Sequence, residues 1–147
     1  MNLETVLTDK CKLVEGLMQE ELKCISQYLE VQNYSQNDLL MKKGEPADVL
    51  MIIISGSTRV LNDDIQIGLN NVGEVIGENI FIDDGVRNAS IQAIEDTSVA
   101  VFSLNHFREL LYQNRLLALE IRKRVISIKN ERESQNQGSK FIDRSKY

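Results

Sequence analysis

The chain has 147 residues, of which 42% are hydrophobic and 27% charged, and its formal net charge is −5 at pH 7. This length is enough for one domain with a buried core, and the acidic balance argues against a general nucleic-acid binder, which would present a basic face. The sequence has no run of about eighteen apolar residues and no secretory signal at its N-terminus, so we expect a cytoplasmic protein without a membrane span.

The first segment, residues 3–34, carries apolar side chains at helical spacing. Thr8-Asp9 and Glu15-Gly16 interrupt this spacing, which therefore predicts two or three short helices rather than one long helix. Residues 19–22 place acidic side chains where the first turn of a helix favours them. We expect the N-terminal segment to be helical as far as residue 34.

The middle of the chain changes to short β-rich runs separated by turn residues. The predicted strands are 39–41, 49–54, 58–61, 65–69, 72–76, 89–94 and 99–103. A spacing of roughly eight to twelve residues between strands is typical of an antiparallel sandwich or barrel, and not of alternating strands and helices.

Helical spacing returns after Asn105, which the sequence favours as a helix N-cap. We expect a single domain over residues 1–133, with a barrel at about 36–103 and a flexible polar tail over 134–147. Two interpretations of the last helix stay open, namely packing on the chain's own barrel or the seam of a homodimer. Its apolar residues have near-heptad spacing: Leu117, Ile121, Val125 and Ile128.

Cysteine and histidine are too few to predict a metal centre. Cys11 and Cys24 have no histidine near them, and the single histidine, His106, follows the predicted helix cap. Two reduced thiols are the expected state in the cytosol, with a disulfide or a shared metal ion as the alternative.

A candidate binding site lies in residues 77–90, where Glu78 stands nine positions before Arg87 between two apolar runs. Arg87 can donate two parallel hydrogen bonds to phosphate oxygens, and Glu78 can accept one from a ribose 2′-hydroxyl. If Gly77 opens a helical turn, further backbone donors face the same anion. They belong to Asn79, Ile80 and Phe81.

A plainer interpretation of the same segment also stays open. Clusters of glycine, asparagine and aspartate between strands are commonly turns and nothing more. In that case Glu78 and Arg87 form a surface ion pair worth less than about 1 kcal/mol.

The chain resembles the cyclic-nucleotide-binding domain family, which occurs in catabolite-activator proteins, protein-kinase regulatory subunits and gated channels. The resemblance covers about residues 12–128. The family's phosphate-binding cassette has a Gly-Glu pair, a short helix, a loop and then Arg-x-Ala before a strand, and residues 77–90 follow that order. The landmarks are Gly44, Gly56, Gly73, Gly77, Glu78, Arg87, Ala89 and Ala93.

The resemblance implies a mainly β fold, an eight-stranded antiparallel jelly-roll barrel with N-terminal and C-terminal helices and a short cassette helix. It implies that Glu78 binds the ribose 2′-hydroxyl and that Arg87 binds the cyclic phosphate of cAMP or cGMP. Asn88 falls where family members contact phosphate or base, Ala89 belongs to the Arg-x-Ala motif, and Ser90 faces the base. The C-terminal helix commonly closes over the purine, and its lid candidates are Ile121, Arg124, Val125 and Ile128.

The sequence departs from the family pattern at three places in the cassette. Ile80 stands where a small residue is usual, and Val86 replaces a common proline before the arginine. Asp83 and Asp84 would oppose an anion if they pointed toward it, although solvent would screen them.

We therefore expect a non-catalytic, cytoplasmic receptor for cAMP or cGMP that acts on a partner protein and needs no other cofactor. We expect no DNA contact, because the residues after Ile121 are too few for a winged helix-turn-helix module, and no nucleophile–base pair is evident. The alternative is a degenerate adaptor of the same fold that binds proteins without a ligand.

Overall fold

The computed structural model describes Leu7, residues 11–81 and residues 85–137, with no account of the side chains of 133–137. Within the described residues, eight strands are flanked by the helices α1 Gln19–Ser26, α2 Leu104–Gln113 and α3 Arg115–Gln137. Short 3-10 turns span Lys12–Val14 and Glu78–Phe81, and the second is called the cassette turn below. The strands are β1 Glu30–Tyr34, β2 Leu39–Met41, β3 Val49–Ser55, β4 Thr58–Asn62, β5 Ile65–Asn70, β6 Val75–Ile76, β7 Ser90–Ala93 and β8 Thr97–Ser103.

The strands form two four-stranded antiparallel sheets, in the orders β1-β8-β3-β6 and β2-β7-β4-β5. The mainly β fold and the flanking helices agree with the prediction, but the closed barrel does not. Within the described residues, every pairing between these strands stays inside one sheet. The edge strand β6 has only two residues and stops before Gly77, whose φ of +84° leaves the extended region. It is therefore too short to continue hydrogen bonding into the second sheet.

Strand β3 lies at the centre of the molecule because both of its faces are covered. Leu50, Ile52 and Ile54 join a helix-side core together with residues from all three helices. Met51 and Ile53 point the other way into an inter-sheet core that also contains residues of β2, β4 and β7. The side-chain period of two explains why this run is apolar throughout and does not alternate with polar residues.

Strand β1 overturns the expectation of a helix up to residue 34. Its five residues are exposed or half-buried, so they carry neither helical nor strand periodicity. Pairing with β8 fixes its conformation, with Val31 opposite Ala100. The hydrogen bonds to β8 therefore determine the conformation of β1, because its own sequence pattern favours neither a helix nor a strand.

The helices after β8 differ from the prediction at their ends. Ser103, and not Asn105, caps α2, because its side-chain oxygen accepts from the His106 backbone N–H at 3.0 Å. Helix α3 runs to Gln137, which places residues 134–137 of the predicted flexible tail in a helix. Residues 138–147 lie outside the described residues.

The apolar stripe of α3 packs within the chain. Leu117, Ile121 and Val125 are at most 2% exposed in the helix-side core, and Ile128 packs against it half-buried. These residues are therefore unavailable as a dimer seam, and the interpretation as core packing is the correct one. None of the described helices has the length and apolarity that crossing a bilayer requires.

Candidate functional site

Backbone pairing returns the chain to the sheets after the cassette turn. The Arg87 N–H donates to the Glu45 carbonyl at 2.9 Å, and the Gly44 N–H donates to the Arg87 carbonyl at 3.0 Å. An isolated antiparallel bridge joins Pro46 to Val86, between the first of these bonds and the bond from the Ala47 N–H to the Gly85 carbonyl. The backbone of Arg87 is thus held on both sides, although Val86 lacks the ring that would preset its own conformation.

Gly77 gives the cassette turn its close approach to the sheet. A Cβ at this position would lie 2.7 Å from both the Val49 carbonyl oxygen and the Met41 methyl carbon. It would also lie 3.0 Å from Arg87 Nη1. Both the positive φ and the crowded surroundings require glycine at this position.

Arg87 is buried beside Gly77, with only 6% of the residue exposed. Its Nη2 donates to the Val49 carbonyl oxygen, whereas its Nη1 is buried with no hydrogen-bond partner in the described part of the chain. Burial lowers the pKa of the guanidinium, and the carboxylates of Asp48, Glu78 and Glu45 oppose that shift. A buried donor without a partner costs about 1–3 kcal/mol, more when it is charged, so an anion at Nη1 would stabilise this arrangement.

Glu78 is also buried, and its partner comes from the far end of the chain. Arg132 Nη1 lies 2.6 Å from Glu78 Oε1, with side chains 17% and 6% exposed respectively. The Arg132 Nη2 donates to the Val75 carbonyl oxygen. Arg132 therefore joins α3 to both β6 and the cassette turn.

The cassette turn is fixed by apolar packing on its outer side. Ile80 is 4% exposed and lies in the helix-side core, while Phe81 packs edge-to-face on Phe107 with ring centroids 4.7 Å apart. The Ile80 N–H donates to the Gly77 carbonyl at 3.2 Å. Of the three backbone amides predicted to face an anion, this one is engaged within the turn. Asn79 Oδ1 is buried without a partner in the described ranges.

The three residues after Arg87 continue the segment into β7. Asn88 is half-buried, and Ala89 is 5% exposed in the inter-sheet core. Ser90 Oγ accepts from the Lys43 backbone N–H at 3.0 Å. Asp83 and Asp84, which the sequence placed in the cassette loop, lie outside the described residues.

The model of the cyclic nucleotide-binding domain matches residues 31–114. The chain belongs to the cyclic nucleotide-binding domain family. The matched range contains the whole segment from Gly77 to Ser90.

Relatives and solved structures agree with this assignment. The chain is 27% identical over 103 residues to a cAMP-dependent protein kinase regulatory subunit of Hypocrea atroviridis, covering 70% of this chain and 22% of that protein. It is 27% identical over 111 residues to the cyclic AMP receptor protein of Thermus thermophilus, covering 72% of this chain and 51% of that one. The chain thus spans about half or less of these relatives' lengths.

The fold likeness extends over nearly the whole molecule. A solved cyclic nucleotide-binding domain from Methylobacillus flagellatus superposes with a TM-score of 0.81 at 26% identity. The superposition covers 92% of this chain and 79% of that one.

The four lid candidates of this cyclic nucleotide-binding domain have the following contacts in the structure. Ile121 and Val125 are fully buried in the helix-side core. Arg124 pairs with Glu120 at 3.1 Å and donates to the backbone carbonyls of Leu13 and Glu15, so it fastens the N-terminal turn to α3. Ile128 borders a cavity of about 350 Å³ that Arg132 also lines.

Arg132 is the site residue that the sequence analysis missed. The sequence contains a pattern that points to Arg132. This residue continues the helical face of Ile121, Val125 and Ile128, at intervals of four, three and four residues. The prediction ended the domain at 133, assigned 134–147 to a flexible polar tail, and gave Arg132 no role. A charged residue on a buried helical stripe is the pattern that would have singled it out.

Cysteine and histidine show no metal-binding arrangement in the described ranges. Both thiols are free, and Cys11 is buried whereas Cys24 is half-buried. Burial raises the pKa of the Cys11 thiol, against backbone hydrogen bonds at Leu13 and Val14. Within those ranges no three histidine, cysteine or acidic side chains gather as metal ligands do.

Proposed function

We propose that the chain is a non-catalytic regulatory domain, residues 1–133, that binds cAMP or cGMP in the cytoplasm and passes the signal to a partner protein. The observation that carries this proposal is the buried Arg87 Nη1, which has no hydrogen-bond partner among the described residues and lies next to a glycine whose surroundings crowd any added Cβ. A cyclic phosphate supplies the acceptor that this donor lacks.

The charges around Arg87 favour a small ligand of mixed character over a polyanion. Asp48, Glu78 and Glu45 act on the guanidinium, so the surrounding field is not uniformly positive. A singly charged cyclic phosphate meets one cation, and the ribose offers a hydroxyl to the Glu78 carboxylate. Extended nucleic acid, which needs many cations along its backbone, fits this arrangement poorly.

The position of the Ile80 side chain supports ligand binding. Its branched side chain lies in the helix-side core, so it does not restrict the space beside Arg87. The family members among the relatives include proteins named for cAMP and for cGMP, and both ligands belong in the test.

A thermal-shift experiment tests the proposal. A ligand present at a hundred times its dissociation constant stabilises the folded state by about 2.7 kcal/mol, which corresponds to a rise in Tm of roughly 5–10 °C for a chain of this size. We expect this rise with cAMP or cGMP and a smaller one with linear 5′-AMP or 5′-GMP. No rise with any nucleotide would contradict the proposal.

The second candidate is an adaptor that keeps the fold for protein contacts without a ligand. The ion pair between Glu78 and Arg132 favours it, since the carboxylate assigned to a ribose already has a partner within the chain. In the thermal-shift experiment this candidate predicts the same Tm with every nucleotide.

We also propose a homodimer through α3. Its contact face is the exposed side of the helix and not the predicted stripe, which is packed in the core. Leu116, Leu119 and Ile126 are 82%, 39% and 38% exposed, at heptad positions a, d and d. In a parallel pair, Arg115 at position g would face Glu120 at position e of the second copy. Light scattering should show a dimer that Leu116→Lys with Ile126→Lys converts to a monomer, and a wild-type monomer at all concentrations would contradict it.

A further inference from the structure

The segment between β6 and β7 contains two buried polar atoms that lack a hydrogen bond. The described residues have three such side-chain atoms, and two of them, Asn79 Oδ1 and Arg87 Nη1, belong to this segment. The third is His106 Nδ1, in α2. Buried polar atoms in folded proteins nearly always have a partner, so the concentration of exceptions in one short segment needs a physical explanation.

A phosphate explains only the first of these two atoms. Arg87 Nη1 is a donor, and an anion supplies the acceptor that it lacks. Asn79 Oδ1 is itself an acceptor, and the phosphodiester of a cyclic nucleotide carries no proton to donate at neutral pH. The role of Asn79 must therefore differ from that of Arg87.

The neighbours of Asn79 hold the cassette turn against the helices. Ile80 lies in the helix-side core and Phe81 packs on Phe107, so apolar contacts draw the turn inward and carry Asn79 with it. Asn79 is only 4% exposed, and burial of a polar group without a hydrogen bond is unfavourable. This packed position thus combines favourable apolar contacts with one unfavourable polar group, which lowers the free energy needed to displace the turn.

We propose that Asn79 keeps the cassette turn easily displaced, because its carboxamide oxygen is unbonded in the packed position and accepts hydrogen bonds from water once the turn moves away from the core. The ligand binds the displaced position more tightly. Asn79 therefore raises the ligand affinity by destabilising the packed position. This rests on the proposed cyclic-nucleotide function and adds a determinant of affinity that does not contact the ligand.

The test makes the same substitution at two buried asparagines. Asn79→Leu keeps the branched shape of the side chain and removes the unbonded carboxamide, so it should raise the Tm by roughly 3–10 °C. Asn70 is the matched control, because it is 1% exposed and its Nδ2 donates to Thr58 Oγ1 at 3.1 Å. Asn70→Leu breaks that hydrogen bond and should lower the Tm by a similar amount.

Hydrogen exchange at the Ile80 amide reports the movement of the turn directly. This N–H donates to the Gly77 carbonyl at 3.2 Å, so it exchanges when the turn opens. In Asn79→Leu the exchange should slow by about five- to a hundredfold, the factor that corresponds to removing a buried unbonded polar group. Calorimetric titration with cAMP and cGMP should show a dissociation constant raised by about the same factor. Asn70→Leu should leave that constant within roughly threefold of the wild type.

Three outcomes overturn the proposal while leaving the cyclic-nucleotide function intact. Weaker binding in Asn79→Leu without slower exchange would mean that the side chain contacts the ligand. Slower exchange with an unchanged affinity would mean that binding does not use the movement of the turn. A loss of Tm in Asn79→Ala as large as that in Asn70→Ala would mean that the Asn79 carboxamide is bonded in the folded protein, and these two variants add no bulk.

A failure of the proposed function gives a different result. A wild type that binds neither cAMP nor cGMP would overturn that function. Exchange at the Ile80 amide would then decide the claim about the turn by itself, since slower exchange in Asn79→Leu supports it and unchanged exchange overturns it.

Discussion

Gly77 lies so close to Arg87 that a side chain at position 77 would press on the Arg87 guanidinium. A Cβ at Gly77 would lie 3.0 Å from Arg87 Nη1 and 2.7 Å from the Val49 carbonyl oxygen. The same carbonyl accepts from Arg87 Nη2. The glycine thus sets the position of the guanidinium on which the proposed phosphate contact depends.

Gly77→Ala should destabilise the fold by about 2–5 kcal/mol, since a positive φ costs an alanine about 1–2 kcal/mol and overpacking adds about 1–3. Gly44→Ala is the matched control. Gly44 has a φ of +90°, but a Cβ there meets nothing within 4 Å, so only the cost of about 1–2 kcal/mol remains. Urea unfolding of both variants measures the difference, and equal losses would contradict the close contact at Gly77.

Much of the second half of the fold could be predicted because apolar content and turn chemistry agree there. The run at 49–54 lies within β3, and the runs at 89–94 and 99–103 overlap β7 and β8. Local glycine and charge spacing left Gly77, Glu78 and Arg87 open between a binding site and a plain turn, and the resemblance to the family's cassette made them site candidates. Their burial, and the lack of a partner for Arg87 Nη1 among the described residues, are properties of the packed structure that the sequence pattern does not contain.

The failures have physical causes that differ from one element to another. Strand β1 was assigned to a helix because its side chains are mostly exposed and its stability comes from pairing with β8. The barrel was expected to close, but β6 is too short to bridge the sheets. Ser103 caps α2 in place of Asn105 because the helix begins at Leu104, one residue after the end of β8.

The two faces of α3 should respond differently to truncation. Ile121→Ala removes a fully buried side chain and should lower the free energy of unfolding by about 2–5 kcal/mol. Arg122 is exposed on the same helix, and Arg122→Ala should change the free energy of unfolding by less than about 0.5 kcal/mol. If urea unfolding gave similar losses for both variants, the assignment of the buried face would be wrong.

The two thiols should differ in reactivity. Cys11 is 4% exposed and its thiol pKa is raised by burial, so at a given pH it has less of the reactive thiolate than a free cysteine. Cys24 is only half-buried. We expect a disulfide reagent to modify Cys24 in the folded protein and to reach Cys11 only after unfolding in denaturant.

A Cys24→Ser variant provides the control for this measurement. It should show no fast-reacting thiol in the folded state and one thiol in denaturant. Rapid modification of Cys11 in the folded variant would contradict the burial of the residues around the N-terminal 3-10 turn.

The measurement that tests the central claim most directly is calorimetric titration of the wild type and of Arg87→Ala with cAMP and cGMP. Arg87 would contribute charge-assisted hydrogen bonds to the phosphate worth roughly 1.5–3 kcal/mol each. We predict that the wild type binds at least one of the two nucleotides and that Arg87→Ala loses about ten- to a hundredfold in affinity per bond. Equal affinities for the two proteins, or binding by neither, would contradict the account.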